Sequence, residues 1–480
     1  MGNVTDTNDK FKFGVHPQYT EHSDDWQAMD DAYEGEERVK SKGVKYLPAT
    51  VSQELDGMMH GQRGYKAYDA YKKRAVFPDY VTDAVETLVG MLHAKPGKIV
   101  VPEKYADLVT SITKSGENCL SVLRRVNELQ LSPGRVGLLV DVDLETRKPY
   151  LSLYLCTDIV NWDGTQGVLE YVVLDESYSN LDRASGKWVD VARHRICDIS
   201  TGIYRSAIFE NAETYDENNF KEIRLNGKAL GHLPMSIINA RAVSPDCDRA
   251  PLLGLARACY AIYRLEADYR QNLHMQGQDT LVIKDVAGGD SGAPVRVGAG
   301  ACVEVGIGGD AKYIGIDGRG LPEQRMALEN DKQHAKQRAG HFIASGKASQ
   351  ESGDALRTRL AALTATLTTI AQAGAQGLEK ALKSCVEFMG GTADEIAQVK
   401  VEPNTEFFDI QVLGQDLELF MRSIAEGAPL SPESVHSMLK QRGIAKFDYE
   451  TEVAKRNEQY VTVVTPKPTV PQGGGNQNQA

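Results

Sequence analysis

Apolar residues recur every three or four positions across residues 251–276, where Leu252, Leu255, Cys259, Ile262 and Leu265 mark one face of a helix that Gly277 ends. The pattern then changes: residues 279–320 carry TLVIKDV, GACVEVGI and KYIGID between glycines, the marks of short strands joined by turns. Helical character returns over 321–344, breaks at Ser345-Gly346-Lys347 and resumes at about Gly353. The 321–344 segment is strongly polar, with Leu321, Met326, Leu328, Ala335, Ala339, Phe342 and Ile343 as the candidates for a narrow apolar side. Beyond the break, Leu356, Leu360, Leu363, Leu367 and Ile370 follow at steps of four, three, four and three, a seam for packing one helix on another. Leu378, Leu382, Cys385 or Val386, and Met389 continue it past Gly374 and Gly377, where close packing or a kink is expected.

The rest of the chain is arranged around that stretch. Residues 1–24 are polar and expected to be loose, and Asp24–Lys40 reads as a helix burying Trp26, Met29 and Tyr33. Tyr65, Tyr68 and Tyr71 stack along a second helix, and after Pro78 a stripe of Tyr80, Val81, Ala84, Val85, Leu88, Val89 and Leu92 runs to Pro96. Pro102–Gly116 and Leu120–Leu131 read as further helices. After Pro133-Gly134, strand patterns dominate to about residue 243: VGLLVDVD, YLSLYLCTDIVNW, VLEYVVLDES, WVDVARHRICDI, YRSAIFE and FKEIRL, the last followed by an Asn226-Gly227 hairpin turn. VEPNTEFFDIQV adds a strand or two, and two helices follow, the second capped by Ser431 with Pro432 in its first position. The end, TPKPTVPQGGGNQNQA, is low-complexity and has no reason to fold.

Composition narrows the function classes. At 480 residues the chain can bury a sizeable core, and its net charge of −12 argues against a protein that coats nucleic acid through a broad basic surface. Seven scattered cysteines without a CxxC pair point to buried thiols in a reducing compartment. No apolar run approaches a membrane span, and MGNVTDTNDKFKFG lacks the apolar core of a signal peptide. Several constellations invite a chemical reading and fail it. His194 and Cys197 form a lone pair on a strand; Asp141 and Asp143 read as a strand end facing water; His334 and His341 are seven apart, not four; and Gly288-Gly289-Asp290-Ser291-Gly292 reads as a turn. There is no phosphate-cradling glycine motif. The expectation is no catalytic residue, no metal and no cofactor. Lys347, Arg357 and Arg359 make the compact positive patch near the break, suited to ordinary solvation or to intermittent contact with phosphate.

With these pieces in order, the chain resembles the portal (head–tail connector) proteins of tailed bacteriophages, in a branch of uncharacterised function. The resemblance runs over roughly residues 60–460 and rests on YDAYKKRAVFPDYVTDAVETLVGMLHAKP, on HLPMSIIN before the 251–276 helix, and on the EGAPLSPESVHSML close. It implies an α+β portal fold: an N-terminal extension (1–60), a wing (61–250), stem helices (251–276 and 321–344), a small β-rich clip (277–320), a tunnel loop (345–352), a long wing helix and strand (353–415), a helical crown (416–460) and a disordered tail (461–480). It implies a ring, of twelve subunits as is usual for the family, at one capsid vertex in the virion, assembled in the host cytoplasm. Through that ring the terminase large subunit drives double-stranded DNA, and on it sit the head–tail adaptor and the major capsid protein; no membrane is involved. Ser345, Gly346, Lys347, Ser349 and Gln350 would face DNA, with Arg357 and Arg359 touching phosphate, and Arg264, Arg325, Lys332 and Lys336 would lie on the stem. Two other classes remain open: a soluble hydrolase, which would need a convergent polar site, and another phage assembly protein such as an adaptor or scaffold-like factor, which would lack a central stem.

Overall fold

The computed structural model describes residues 13–143, 145–210, 216–225, 227–277, 280–286, 305–314, 320–342, 353–407, 422, 431–441, 445 and 447–463. The chain divides into two units, Met1–Phe407 and Phe408–Ala480. The first is mixed α+β. It opens with helices α1 (Pro17–Glu34), α2 (Glu36–Ser41), α3 (Val51–Leu55), α4 (Arg63–Arg74) and α5 (Tyr80–Leu92). Residues 17–24 are therefore helical, not loose: His16 caps α1 by accepting the Gln18 N–H, and Pro17 takes the first helical position. The helix expected over 24–40 is two helices, because Gly35 turns the chain at φ +89°, a conformation costly for other residues. α5 buries the stripe read from its spacing, Val81 through Leu92, while Tyr80 stays half-buried.

Strand β1 (Lys98–Val100), the one-turn α6 (Asp107–Thr110) and α7 (Cys119–Leu131) follow. The helix expected over 102–116 is absent: Ser111 is extended, Ile112 exchanges backbone bonds with Glu117 and Leu151, and Thr113 bridges Leu151. Asn118 caps α7 through the Ser121 N–H. Then come β2 (Arg135–Asp143), β3 (Lys148–Leu155), β4 (Ile159–Thr165), β5 (Val168–Asp175), β6 (Tyr178–Asp182), β7 (Lys187–Val191), β8 (Arg193–Asp198), β9 (Arg205–Glu210), β10 (Lys221–Glu222), β11 (Arg224–Leu225), β12 (Lys228–Ala229) and β13 (Met235–Asn239). They form an antiparallel sheet in the order β10-β9-β8-β5-β4, a three-stranded sheet β13-β2-β3, and the two-stranded ribbons β6-β7 and β11-β12, the latter turning through Gly227.

Asp141 does not face water as its strand position implied. It is 8% exposed and bonded to Arg195 at 3.0 Å and to the Tyr150 hydroxyl at 3.1 Å. Arg195 also holds Glu176 at 2.6 Å; burial alone would lower its pKa, but Asp141 and Glu176 more than reverse that. Three residues apart on β8, His194 and Cys197 point to opposite faces, His194 toward Phe13 and Cys197 toward Tyr204. Arg135 is fully buried, with its guanidinium over the Trp162 ring and Nη1 donating to Cys247 Sγ, while His16 stacks on the same indole at 3.9 Å. Burial and the Arg135 charge hold His16 below the usual imidazole pKa.

Helix α8 (Leu253–Gln276), strands β14 (Thr280–Val286) and β15 (Val305–Ile314), helix α9 (Leu321–Phe342), the 36-residue helix α10 (Gly353–Phe388), α11 (Ala393–Gln398) and β16 (Lys400–Glu402) complete the unit. β14 and β15 pair antiparallel, so GACVEVGI and KYIGID contribute to one strand where two were expected; the GGDSG run lies outside the described residues. α11, unmarked by apolar spacing, starts at a capping box made by Thr392 and Glu395, and β16 pairs with β1. α10 packs on α7, β2, β13 and β16 without a break at its glycines. A Cβ on Gly374 would stand 2.4 Å from Asn127 Oδ1, and one on Gly377 would stand 2.2 Å from Ile238 Cδ1. In the second unit, Pro432–Gln441 is helical with Ser431 accepting the Ser434 N–H, as its sequence implied. Tyr449–Val463, where only alternating charge was evident, is helical too. Lys440–Asp448 and the His436–Tyr449 edge contact join them. The first of the two helices expected after residue 415 lies, apart from Arg422, outside the described residues, as do 464–480.

In an exposed helix, Gly→Ala gains about 1 kcal/mol. Gly377→Ala should instead cost about 1–3 kcal/mol, because Ile238 must give way; a thermal melt that rose would remove the close crossing. His93 is held below the ordinary imidazole value by burial and by Arg124, and its Nε2 sits 3.0 Å from Asn127 Nδ2. The folded state therefore binds fewer protons there than the unfolded one, so this contribution is whole above about pH 6.5 and declines as pH falls through it. His93→Gln should narrow the difference in melting temperature between pH 7.5 and pH 5.5; an equal difference in both proteins would contradict the assignment.

Candidate functional site

α8 and α9 lie antiparallel with the β14-β15 hairpin between them in sequence. Asn272 Nδ2 donates to Gln324 Oε1, Lys332 Nζ meets Glu266 Oε2, and Arg338 Nη1 donates to the Gly254 carbonyl, so positions rise on one helix as they fall on the other. The inner half of α8 buries Leu255, Ala256, Cys259, Tyr260, Ile262, Tyr263, Glu266 and Ala267. Beyond Ala267 nothing on α8 is buried, and on α9 the buried positions begin at Leu328 and continue at Ala335 and Ala339. The distal half of the pair therefore stands clear of the core, leaving Leu273, Met275 and Met326 exposed. Met326, expected on the apolar side of α9, is 62% exposed for that reason. Ile307 of the hairpin is fully exposed as well.

At the root of the pair sits Glu266, a carboxylate at a position where the helical spacing calls for an apolar residue. It is buried, and Arg270 at 2.7 Å and Lys332 at 3.2 Å neutralise it. Reading the sequence missed Glu266, although its place in the apolar stripe was the available signal. The N-terminal helices grip the same helix: Asp25 bonds Arg257, the Tyr260 hydroxyl donates to the Ala28 carbonyl, the Tyr71 hydroxyl donates to Asp268, and Tyr46 stacks on Tyr260 at 4.3 Å. Asp31, wholly buried, receives the Tyr46 hydroxyl at 2.5 Å and Arg38 at 3.0 Å. The segment read as an N-terminal extension is thus a brace for α8.

Of the stem residues read from sequence, Arg264, Arg325 and Lys336 are exposed and join no ion pair among the described residues, whereas Lys332 is committed to Glu266. Leu363, Leu367 and Ile370 are buried along α10. Leu356, Arg357, Arg359 and Leu360 fall on α10 with side chains outside the described part, and Ser345, Gly346, Lys347, Ser349 and Gln350 lie outside the described residues.

One arrangement has the outline of a hydrolytic trio. His232 Nε2 is 2.9 Å from Ser384 Oγ, and His232 Nδ1 is 3.8 Å from Glu387 Oε2. Ser384 is 3% exposed inside α10 and gives its proton to the Lys380 carbonyl, so the imidazole N–H donates to Oγ. A substrate carbonyl has no approach to that hydroxyl, and the trio fastens the loop before β13 to α10. Among the described residues no group of three or more His, Cys, Asp or Glu is placed to hold a metal, and no helix is long and apolar enough to cross a membrane.

Residues 251–389, from the start of α8 to the end of α10, match the family model described as a domain of unknown function, DUF4055. Among curated proteins nothing matches. The chain is similar to a solved structure of the neck of an empty gene transfer agent (GTA) particle, at 14% identity and TM-score 0.40, covering 76% of this chain and 90% of that one. It is similar to a chain of the virion of a native GTA particle at 14% identity and TM-score 0.40, covering 83% and 100%. For the neck of the native particle with C12 symmetry the values are 13%, 0.38, 77% and 91%. Likeness of this degree decides nothing about the role of the chain.

Removing Lys332 leaves Glu266 with one cation. Lys332→Met should destabilise the protein by about 1–3 kcal/mol, whereas Arg264→Ala should leave melting unchanged; equal effects on melting from the two would dismiss the Glu266 anchor.

Proposed function

We propose that the chain is the subunit of a ring-shaped portal, a structural channel at a virion vertex through which double-stranded DNA is packaged and released and to which a packaging motor and tail components dock. The observation that carries it is the projecting α8–α9 pair with its terminal hairpin, rooted in the core by a neutralised carboxylate and braced by the N-terminal helices. A helix pair whose outer half exposes Leu273, Met275 and Met326 is poorly matched to life as a monomer. Side-by-side copies would cover those residues and close a cylinder, as head-to-tail contacts do when the rotation closes. The exposed cations Arg264, Arg325 and Lys336, on a chain of net charge −12, suit a wall that meets DNA phosphates without gripping them, since each neutralised phosphate adds affinity and salt dependence. Another head–tail assembly protein is the second reading, and it predicts oligomers lacking a stem.

Electron microscopy of the purified full chain should show rings of about twelve subunits, the family's usual number, around an open channel; a closed particle without a channel would exclude the reading. Lys347→Ala should then leave rings intact while changing the amount or retention of packaged DNA. Loss of rings, or packaging unchanged in length and yield, would take Lys347 out of the lumen.

A further inference from the structure

The β6–β7 ribbon has no support within its own chain. Every residue of β6 is exposed, as is every residue of β7 except the half-buried Val191. Leu181 faces Trp188 across one side of the ribbon, and Val189 and Tyr178 occupy the other. Trp188 is 69% exposed, while Trp26 and Trp162, the other two tryptophans, are buried. A two-stranded ribbon is marginal in water unless a further surface covers it, and exposed tryptophan beside leucine marks an interface core. Its turn carries Arg183, exposed and without an ion pair among the described residues, and Lys187 begins the return strand.

The ribbon continues β5 and β8 outward from the main sheet, since Asp175 pairs with His194 and Tyr178 with Val191. At the opposite end of the same two strands, where Tyr171 pairs with Asp198, lies a groove of about 400 Å³ lined by Trp162, Asp163, Glu170, Tyr171, Asp198 and Ser200. Arg205 neutralises Asp198 at 2.6 Å, which leaves the carboxylates of Asp163 and Glu170 exposed and without a cation among the described residues. Ten residues of strand separate Tyr171 from Leu181, about 30 Å at the usual rise, so ribbon and groove cannot meet in one chain. Between copies they can: a basic apolar ribbon at one end of a ladder and an acidic groove at the other make a head-to-tail contact, the kind that generates rings.

We propose that the β6–β7 ribbon of one subunit seats in the Asp163–Glu170 groove of the next copy, with Trp188 and Leu181 covered and Arg183 meeting the two free carboxylates. This rests on the ring reading above and names the contact that would join its subunits.

The test uses the purified full chain, with light scattering for assembly and tryptophan emission for Trp188. Wild type should assemble with emission shifted to shorter wavelength. Trp188→Ser and Arg183→Glu should weaken subunit affinity at least about tenfold while leaving the melting temperature of the unassembled chain unchanged, and adding Asp163→Lys to Arg183→Glu should restore assembly. Assembly of the single variants like wild type, with Trp188 emission still that of exposed indole, would overturn the ribbon contact and leave the ring standing. Weakening without rescue would overturn the groove as the acceptor. A wild-type chain that forms no oligomer at any concentration would overturn both readings.

Discussion

The close crossing of α10 over α7 and β13 is the constraint on which the first unit depends. Gly374 lets the helix lie against Asn127 and Gln130 of α7, and Gly377 lets it lie against Ile238 of β13. β13 in turn pairs with β2, whose residues are buried on both faces from Arg135 to Val142. A 36-residue helix without backbone irregularity can act as a beam only if it is held along its length, and side chains at these two positions would lift it off the sheet. Leu378, Leu382, Cys385, Val386 and Phe388 then enter the same core as Val122, Val126 and Leu138.

From that core the projecting pair gets its direction. α8 is locked by charge and by aromatic packing: Glu266 between Arg270 and Lys332, and Tyr46, Phe77, Tyr260 and Tyr263 in mutual contact. The buried carboxylate is costly unless paired, so its position specifies the register of α8 against α9 more than it adds stability. The N-terminal helices add a second line of fixation. α1 reaches from Trp162 and Cys247 of the sheet region, through His16 and Gln18, to Arg257 and Tyr260 of α8. A load on the helix pair would therefore pass into the sheets through α1 as well as through α10. For a channel wall that must hold its shape while a stiff polymer passes, such double attachment is a useful property.

Much of the architecture was legible in the residues. The α5 stripe, the helix 251–276, the break after 344, the leucine seam and the Ser431 cap all follow from spacing and end signals, because they depend on periodicity and on backbone groups at helix ends. Close approach at Gly374 and Gly377 was readable for a similar reason: glycine in the middle of a strongly apolar helix is disfavoured unless contact requires it. Elements decided by their neighbours were less legible. The helix expected over 102–116 gave way to backbone pairing with Leu151, and the Asp24–Lys40 helix divided at Gly35, which also moved its start back to Pro17.

By itself the sequence determined the order of elements, the absence of the familiar nucleotide and metal motifs, and the long-helix frame between residues 251 and 389. Only the tertiary structure decided which polar groups are structural and which are free. Asp141 and Lys332 look like surface charges in sequence and are bound partners in space, whereas Trp188 looks like a core residue and stands in solvent. Period and composition report how a residue suits its own element; burial and pairing depend on what a distant segment brings to it, and that information lies in no local window of the chain.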